Sequence, residues 1–204
     1  MLKTFNDYIV SPKPKDPLLT KKLEGLDHQG NSLIASVVIE RPLTIFLNGQ
    51  EIVTLMTIGD EPEMLALGFL LNQNMLQAGD DIDSIDFEND LDVVVVRTKR
   101  VTNFEKILKK KTVTSGCAQG TVFGELMDKF DETSLDSSSV LRTSWLYELS
   151  KKINSTPSLY LEAGAIHGCV LCREDRPLVY MEDVGRHNAI DKIAGYMFLK
   201  KVES

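Results

Sequence analysis

Apolar and polar positions fall into a regular pattern from about residue 33 onward. Ile34–Ile39 reads as a strand, and two further apolar runs, Leu43–Leu47 and Glu51–Thr57, flank Asn48-Gly49. Asn-Gly between two such runs predicts a tight hairpin, because both turn positions need positive φ. Asp60, followed by Glu61, Pro62 and Glu63, predicts a helix start, with Asp60 as N-cap, proline in the first turn and acids at the positive end of the helix dipole. That helix is expected to run to about Asn74 and to pack Met64, Leu65, Leu67, Phe69, Leu70 and Leu71 against a sheet. Ile82–Phe87 and Leu91–Thr98, the second containing Val93 to Val96, predict two closing strands. Residues 31–102 are thus expected to form a small α+β domain. Residues 1–30, with Lys-Pro alternation and then Gly25, His28 and Gly30, are expected to be a loosely ordered lead-in with little packing.

A second unit follows over 103–204. Asn103–Lys111 predicts a short amphipathic helix and Thr112–Gly120 a polar loop of small residues. Thr121–Phe130 predicts a helix with Val122, Phe123, Leu126, Met127 and Phe130 on one side. The serines of Asp131–Ser139 are placed to cap a helix from Val140 to about Asn154. Ala165–Arg173 and Leu178–Met181 read as strands joined at Glu174–Arg176. Gly185–Lys200 reads as a closing helix with Ile190, Ile193, Ala194, Met197 and Phe198 inward.

Composition narrows the class. The 204 residues are 43% hydrophobic with a net charge of -7, too apolar for a disordered chain. A pI near 5.0 argues against a general nucleic-acid binder. The N-terminus has no basic start with an apolar run behind it, and no apolar run approaches the roughly 20 residues of a membrane span. A soluble, cytoplasmic protein is expected. Cys117, Cys169 and Cys172 are sparse and odd in number, which suits a reducing compartment.

Three stretches can carry chemistry. Cys117 lies in Thr-Val-Thr-Ser-Gly-Cys-Ala-Gln-Gly-Thr, with flexible glycines on both sides and an expected helix start behind it, both of which favour an exposed thiolate. Lys99, Arg100, Lys106, Lys109, Lys110 and Lys111 precede it against the single acid Glu105. This local reversal of charge would lower the thiol pKa and attract a phosphate-bearing ligand. The alternative is a solvated lysine face beside a small buried cysteine. Glu182-Asp-Val-Gly-Arg-His-Asn-Ala-Ile-Asp-Lys192 crowds ionisable groups at a strand-to-helix junction, where Arg186 offers a fork for phosphate and His187 a proton shuttle. The alternative there is that Asp183 caps the helix while Arg186 pairs with Glu182. Cys169-Val-Leu-Cys172 lies in an apolar strand whose alternation sends the two sulfurs to opposite faces, so buried structural thiols are expected and no metal site. No dinucleotide-binding or P-loop glycine pattern is present, nor the His-x-Glu with Pro-Cys-x-x-Cys of zinc deaminases.

Arg41-Pro-Leu-Thr-Ile-Phe-Leu-Asn-Gly, Leu65-Ala-Leu-Gly-Phe-Leu, Thr114-Ser-Gly-Cys-Ala, Glu162-Ala-Gly-Ala-Ile-His and Glu182–Lys192 occur in an order and spacing that resemble the FdhD family, the formate dehydrogenase accessory sulfurtransferases. The resemblance runs from about residue 35 to 200. It implies an α/β fold in which a cytidine-deaminase-like αβα layered domain follows a smaller α+β domain, usually as a homodimer. It implies a sulfur carrier that receives sulfur from a cysteine desulfurase as a persulfide on Cys117. The sulfur then passes to a molybdenum or tungsten bis-(molybdopterin guanine dinucleotide) cofactor destined for the formate dehydrogenase catalytic subunit, or the protein serves only as a chaperone that binds that cofactor. Arg186, His187, Lys110 and Lys111 are the implied holders of its phosphates, and a free guanine nucleotide is an implied mimic. Gly120 stands where the family carries a second loop cysteine, so sulfur release by an internal disulfide is not available to this loop. The resemblance stops near Val202, and the family's C-terminal portion, associated with cofactor binding, is expected to be lacking.

Overall fold

A computed structural model describes residues 8–77, 79–99, 138 and 140–202, with the backbone of 111–113 and 121–123. Its strands are β1 Thr20–Leu26, β2 Ser32–Val38, β3 Arg41–Leu47, β4 Gln50–Thr57, β5 Ile82–Glu88, β6 Val93–Thr98, β7 Lys111–Val113, β8 Thr121–Phe123, β9 His167–Arg173 and β10 Arg176–Asp183. The helices are α1 Pro62–Asn72, α2 Thr143–Asn154, α3 Leu159–Ala163 and α4 Arg186–Lys200.

The main sheet has the order β4-β3-β6-β5. Its centre is the expected hairpin: Asn48 and Gly49 both have positive φ, 49° and 83°, and close β3 onto β4. Strict alternation along β3 buries Leu43, Ile45 and Leu47, and along β6 it buries Val94 and Val96. In β4 the buried residues Ile52 and Leu55 are three apart, because the register slips between Ile45 and Phe46 and the bulge resets the alternation. β6 runs parallel to β3, and α1 lies within the crossover between them.

Helix α1 is buried on nearly every side, and not along one stripe only: Pro62, Leu65, Ala66, Leu67, Gly68, Phe69 and Leu70 are all enclosed. One side faces the sheet and the other is covered by α4. Two glycines permit this contact. A Cβ at Gly68 would stand 1.6 Å from the Asp191 carbonyl oxygen, and one at Gly195 would stand 1.9 Å from that of Met64. The two helices, one from each half of the chain, meet main chain to main chain. Beyond α4, β9 and β10 form an antiparallel pair, and residues 9–10 run along the other edge of β10 through Ile9 N–H to Leu178 and Tyr180 N–H to Val10.

Several expectations are corrected. Part of the stretch expected to be a loose lead-in is ordered: β1 pairs with β2 along its whole length, and Leu19 is buried with Ile58, Leu159 and Ile166. Asp60 is not the N-cap of α1. That position belongs to Glu61, in a left-handed conformation with no side-chain cap, while Asp60 turns inward to a buried lysine. Thr121–Phe123 is a strand paired with Lys111–Val113, and not the first turn of a helix, in keeping with the β-branched residue types in both segments. Helix α2 begins at Thr143 with Arg142 as its uncapped N-cap, three residues later than expected from the serines. Ile190 is 49% exposed, since α4 turns Asn188, Asp191 and Lys192 inward instead.

Candidate functional site

The Glu182–Lys192 stretch crosses from the end of β10 into α4, and its inward side chains make a polar network inside an otherwise apolar shell. Lys192 is 0% exposed. Its Nζ donates to Asp60 Oδ1 at 2.5 Å, to Asp183 Oδ2 at 2.7 Å and to the Glu182 carbonyl at 2.9 Å. Asp183, also fully buried, accepts on Oδ2 from the Thr57 hydroxyl at 2.5 Å. On Oδ1 it accepts from Gly185 N–H at 3.1 Å and Asn188 Nδ2 at 3.0 Å. Asn188 Nδ2 also donates to the Met56 carbonyl at 2.8 Å. A buried carboxylate is tolerable only when paired and hydrogen-bonded, and Asp183 meets that condition through four separate groups. The result fixes the start of α4 against the end of β4.

Glu182 faces the other way. Its two oxygens accept from Leu159 N–H at 2.8 Å and Tyr160 N–H at 3.1 Å, so it satisfies the first amides of α3. Burial pushes its carboxyl above the usual range, with those amides pulling it back in part. Asp60 is likewise pushed up by burial against the pull of Lys192. Farther along α4, Asp191 accepts from Asn72 Nδ2 at 2.6 Å across the helix crossing, and burial raises its pKa to about 6.

Arg186 and His187 occupy the first two positions of α4 after the N-cap Gly185, and both are exposed. The positive end of a fifteen-residue helix lies beside them, which suits an oxyanion. Asp183 does serve the helix start, as one sequence alternative had it, through Gly185 N–H. The other candidates are not brought to this place by anything shown: Cys117 and Lys110 lie outside the described residues, and Lys111 is described only as backbone at the start of β7. Thr121–Phe123, the first residues of the helix expected after the cysteine loop, are strand, and the rest of that expected helix lies outside the described residues. Cys169 and Cys172 are half-buried on β9, and burial pushes both thiols above their ordinary range, away from thiolate.

Sequence reasoning missed Lys192, Asp60, Thr57 and Asn188 as parts of one network. The available signal was Asp183, Asn188 and Lys192 in a segment whose apolar residues, read as a helix face, left the inward stripe only partly filled. Among the described residues no group of three His, Cys, Asp or Glu side chains is placed to hold a metal ion, and no helix is long and apolar enough to cross a membrane.

A mixed α/β protein with a cationic helix start braced by buried ion pairs is what the fold and site define. The chain belongs to the FdhD/NarQ family, whose model matches residues 38–204. It is 30% identical over 172 residues to the sulfur carrier protein FdhD of Wolinella succinogenes, covering 82% of this chain and 59% of that protein. It is 31% identical over 167 residues to the sulfur carrier protein FdhD of Bacillus licheniformis, covering 80% and 62%. The chain therefore spans about three-fifths of the length of these relatives. Among solved structures, a protein described as a formate dehydrogenase accessory protein from Desulfotalea psychrophila superposes with a TM-score of 0.62 at 24% identity, over 91% of this chain and 70% of that one. That likeness supports the fold.

Proposed function

We propose that the protein is a cytoplasmic sulfur carrier acting in the maturation of formate dehydrogenase, with Cys117 as the carrier atom's anchor. What carries the reading is the match of residues 38–204 to a family whose relatives are named sulfur carrier proteins, with Cys117 inside the matched stretch. In the first step the Cys117 thiolate attacks the terminal sulfur of a cysteine desulfurase persulfide. A sulfur–sulfur bond breaks on the donor and one forms on Cys117, and the desulfurase leaves as thiol. In the second, the terminal sulfur passes to the metal of the substrate, a molybdenum or tungsten bis-(molybdopterin guanine dinucleotide). The reduced metal supplies the two electrons that convert sulfane sulfur to a sulfide ligand, and Cys117 returns as thiolate. Arg186 and His187, with Lys110 and Lys111, hold phosphates of the dinucleotide, and a free guanine nucleotide occupies the same place. The layered arrangement of a small α+β domain (31–102) and a cytidine-deaminase-like domain (103–204), working as a homodimer, is part of the same proposal.

The test is sulfur loading. The protein is incubated with a cysteine desulfurase and L-cysteine, and the added sulfur atom is located by peptide mass spectrometry under non-reducing conditions. The adduct is expected on Cys117 and absent from Cys117→Ala. An adduct that persists in that variant, or that sits on Cys169 or Cys172, refutes the assignment. Undiminished cofactor delivery by Cys117→Ala would make the protein a binding chaperone instead.

A further inference from the structure

Arg41 opens β3, and its Nε is buried without a hydrogen-bond partner among the described residues. Its stem lies across Gly59, where an added Cβ would stand 2.5 Å from Arg41 Cδ and 3.0 Å from Nε. Gly59 has φ +83°, so the loop both requires glycine and leaves room for the arginine. The register sets Arg41 directly opposite Thr57, whose hydroxyl is bound to Asp183, while the adjacent Met56 carbonyl is bound to Asn188. The end of the β3–β4 hairpin that carries Arg41 therefore abuts the first turn of α4, where Arg186 and His187 are exposed.

Three described acids of this corner are held by lysines. Asp60 and Asp183 share Lys192, and Glu61 is bound to Lys13 at 2.7 Å. A desolvated guanidinium donor left unmatched in such a place carries a penalty that an incoming oxyanion would remove. The covered stem also limits the freedom of the head, so less is lost when a ligand orders it.

We propose that Arg41 forms, with Arg186 and His187, an oxyanion subsite that takes a phosphate or pyrophosphate group. This rests on the reading of the α4 start as the place of the dinucleotide phosphates and adds to it a residue from the other half of the chain. The probe is inorganic pyrophosphate, titrated calorimetrically into the whole chain at low ionic strength, with guanosine as the phosphate-free control. Arg41→Gln is expected to weaken pyrophosphate binding about tenfold or more, and Arg41→Lys to weaken it less, because an ammonium keeps the charge and loses the fork. Guanosine should respond to neither change. Pyrophosphate binding by Arg41→Gln within about twofold of the parent overturns the proposal, as does failure of the parent to bind pyrophosphate; a twofold change is too small for a lost charged hydrogen bond. Should Arg41→Gln fail to fold, Arg41→Lys decides, with unchanged affinity counting against the subsite. If Arg186→Gln lowers affinity and Arg41→Gln does not, only this inference falls. Failure of sulfur loading on Cys117 sinks the carrier reading and leaves the Arg41 measurement intact.

Discussion

Replacing Lys192 by methionine keeps most of the buried stem and removes only the ammonium. The parent Nζ holds Asp60 and Asp183 at 2.5 and 2.7 Å and a main-chain carbonyl at 2.9 Å. Asp183 keeps Thr57, Gly185 and Asn188 after the change, whereas Asp60 loses the cation it is bound to, so Asp60 bears most of the loss. Breaking one side of a buried pair costs about 3–5 kcal/mol, against a total stability of about 5–15 kcal/mol for a domain. In a chain of this size the midpoint of thermal unfolding should fall by roughly 10 °C. The pH dependence gives a second readout. Without Lys192 the folded-state pKa of Asp60 moves further above its unfolded value of about 3.9, so the deficit is largest at pH 7–8 and shrinks as pH falls toward that value, where both states hold the proton. Urea unfolding of parent and variant at pH 7.5 and 5 measures both effects. A cost below about 1 kcal/mol at pH 7.5, or a deficit that grows on acidification, would refute the assignment of Lys192 as the counter-charge of this network.

Two further outcomes follow from the helix crossing. Gly68→Ala gains at most about 1 kcal/mol of helix propensity, but its methyl meets the Asp191 carbonyl at 1.6 Å, a main-chain atom that no rotamer can move aside; a net loss of about 3 kcal/mol or more is expected by chemical denaturation. Asp191→Asn retains an oxygen for the Asn72 amide and removes a carboxyl whose pKa is raised from 3.8 to about 6. Because the raised pKa favours the folded parent only while the group is protonated, that contribution is complete below about pH 4 and gone above about pH 6, which amounts to about 3 kcal/mol at most. The variant should therefore lose this part of the pH dependence, and parent and variant unfolding curves that stay parallel from pH 4 to 8 would count against it.

The central hairpin, α1, β5, β6, α2, the β9–β10 pair and α4 were all legible in the sequence, because each rests on a local signal: Asn48-Gly49, Pro62 after two acids, valine alternation, or helical periodicity. What escaped was set by partners distant in the chain. Asp60 has the spacing of an N-cap, and only the presence of Lys192 more than a hundred residues later draws it inward. Ile190 has the spacing of a core residue, and Asn188, Asp191 and Lys192 take the inward face because Asp183, Asn72 and Met56 are there to receive them. Thr121–Phe123 matched a helical repeat, but a short ladder with Lys111–Val113 outweighed it. At the candidate site, Arg186 and His187 were proposed from their residue types at an expected strand-to-helix junction and from the family motif, whereas Arg41 stood out only once its unmatched nitrogen and its neighbour across the hairpin were known.

Where Gly68 and Gly195 let two backbones touch, there is no cushion of side chains to absorb a shift. The last helix, whose first turn is exposed, therefore meets the main chain of α1 directly, and α1 in turn rests on the four-stranded sheet.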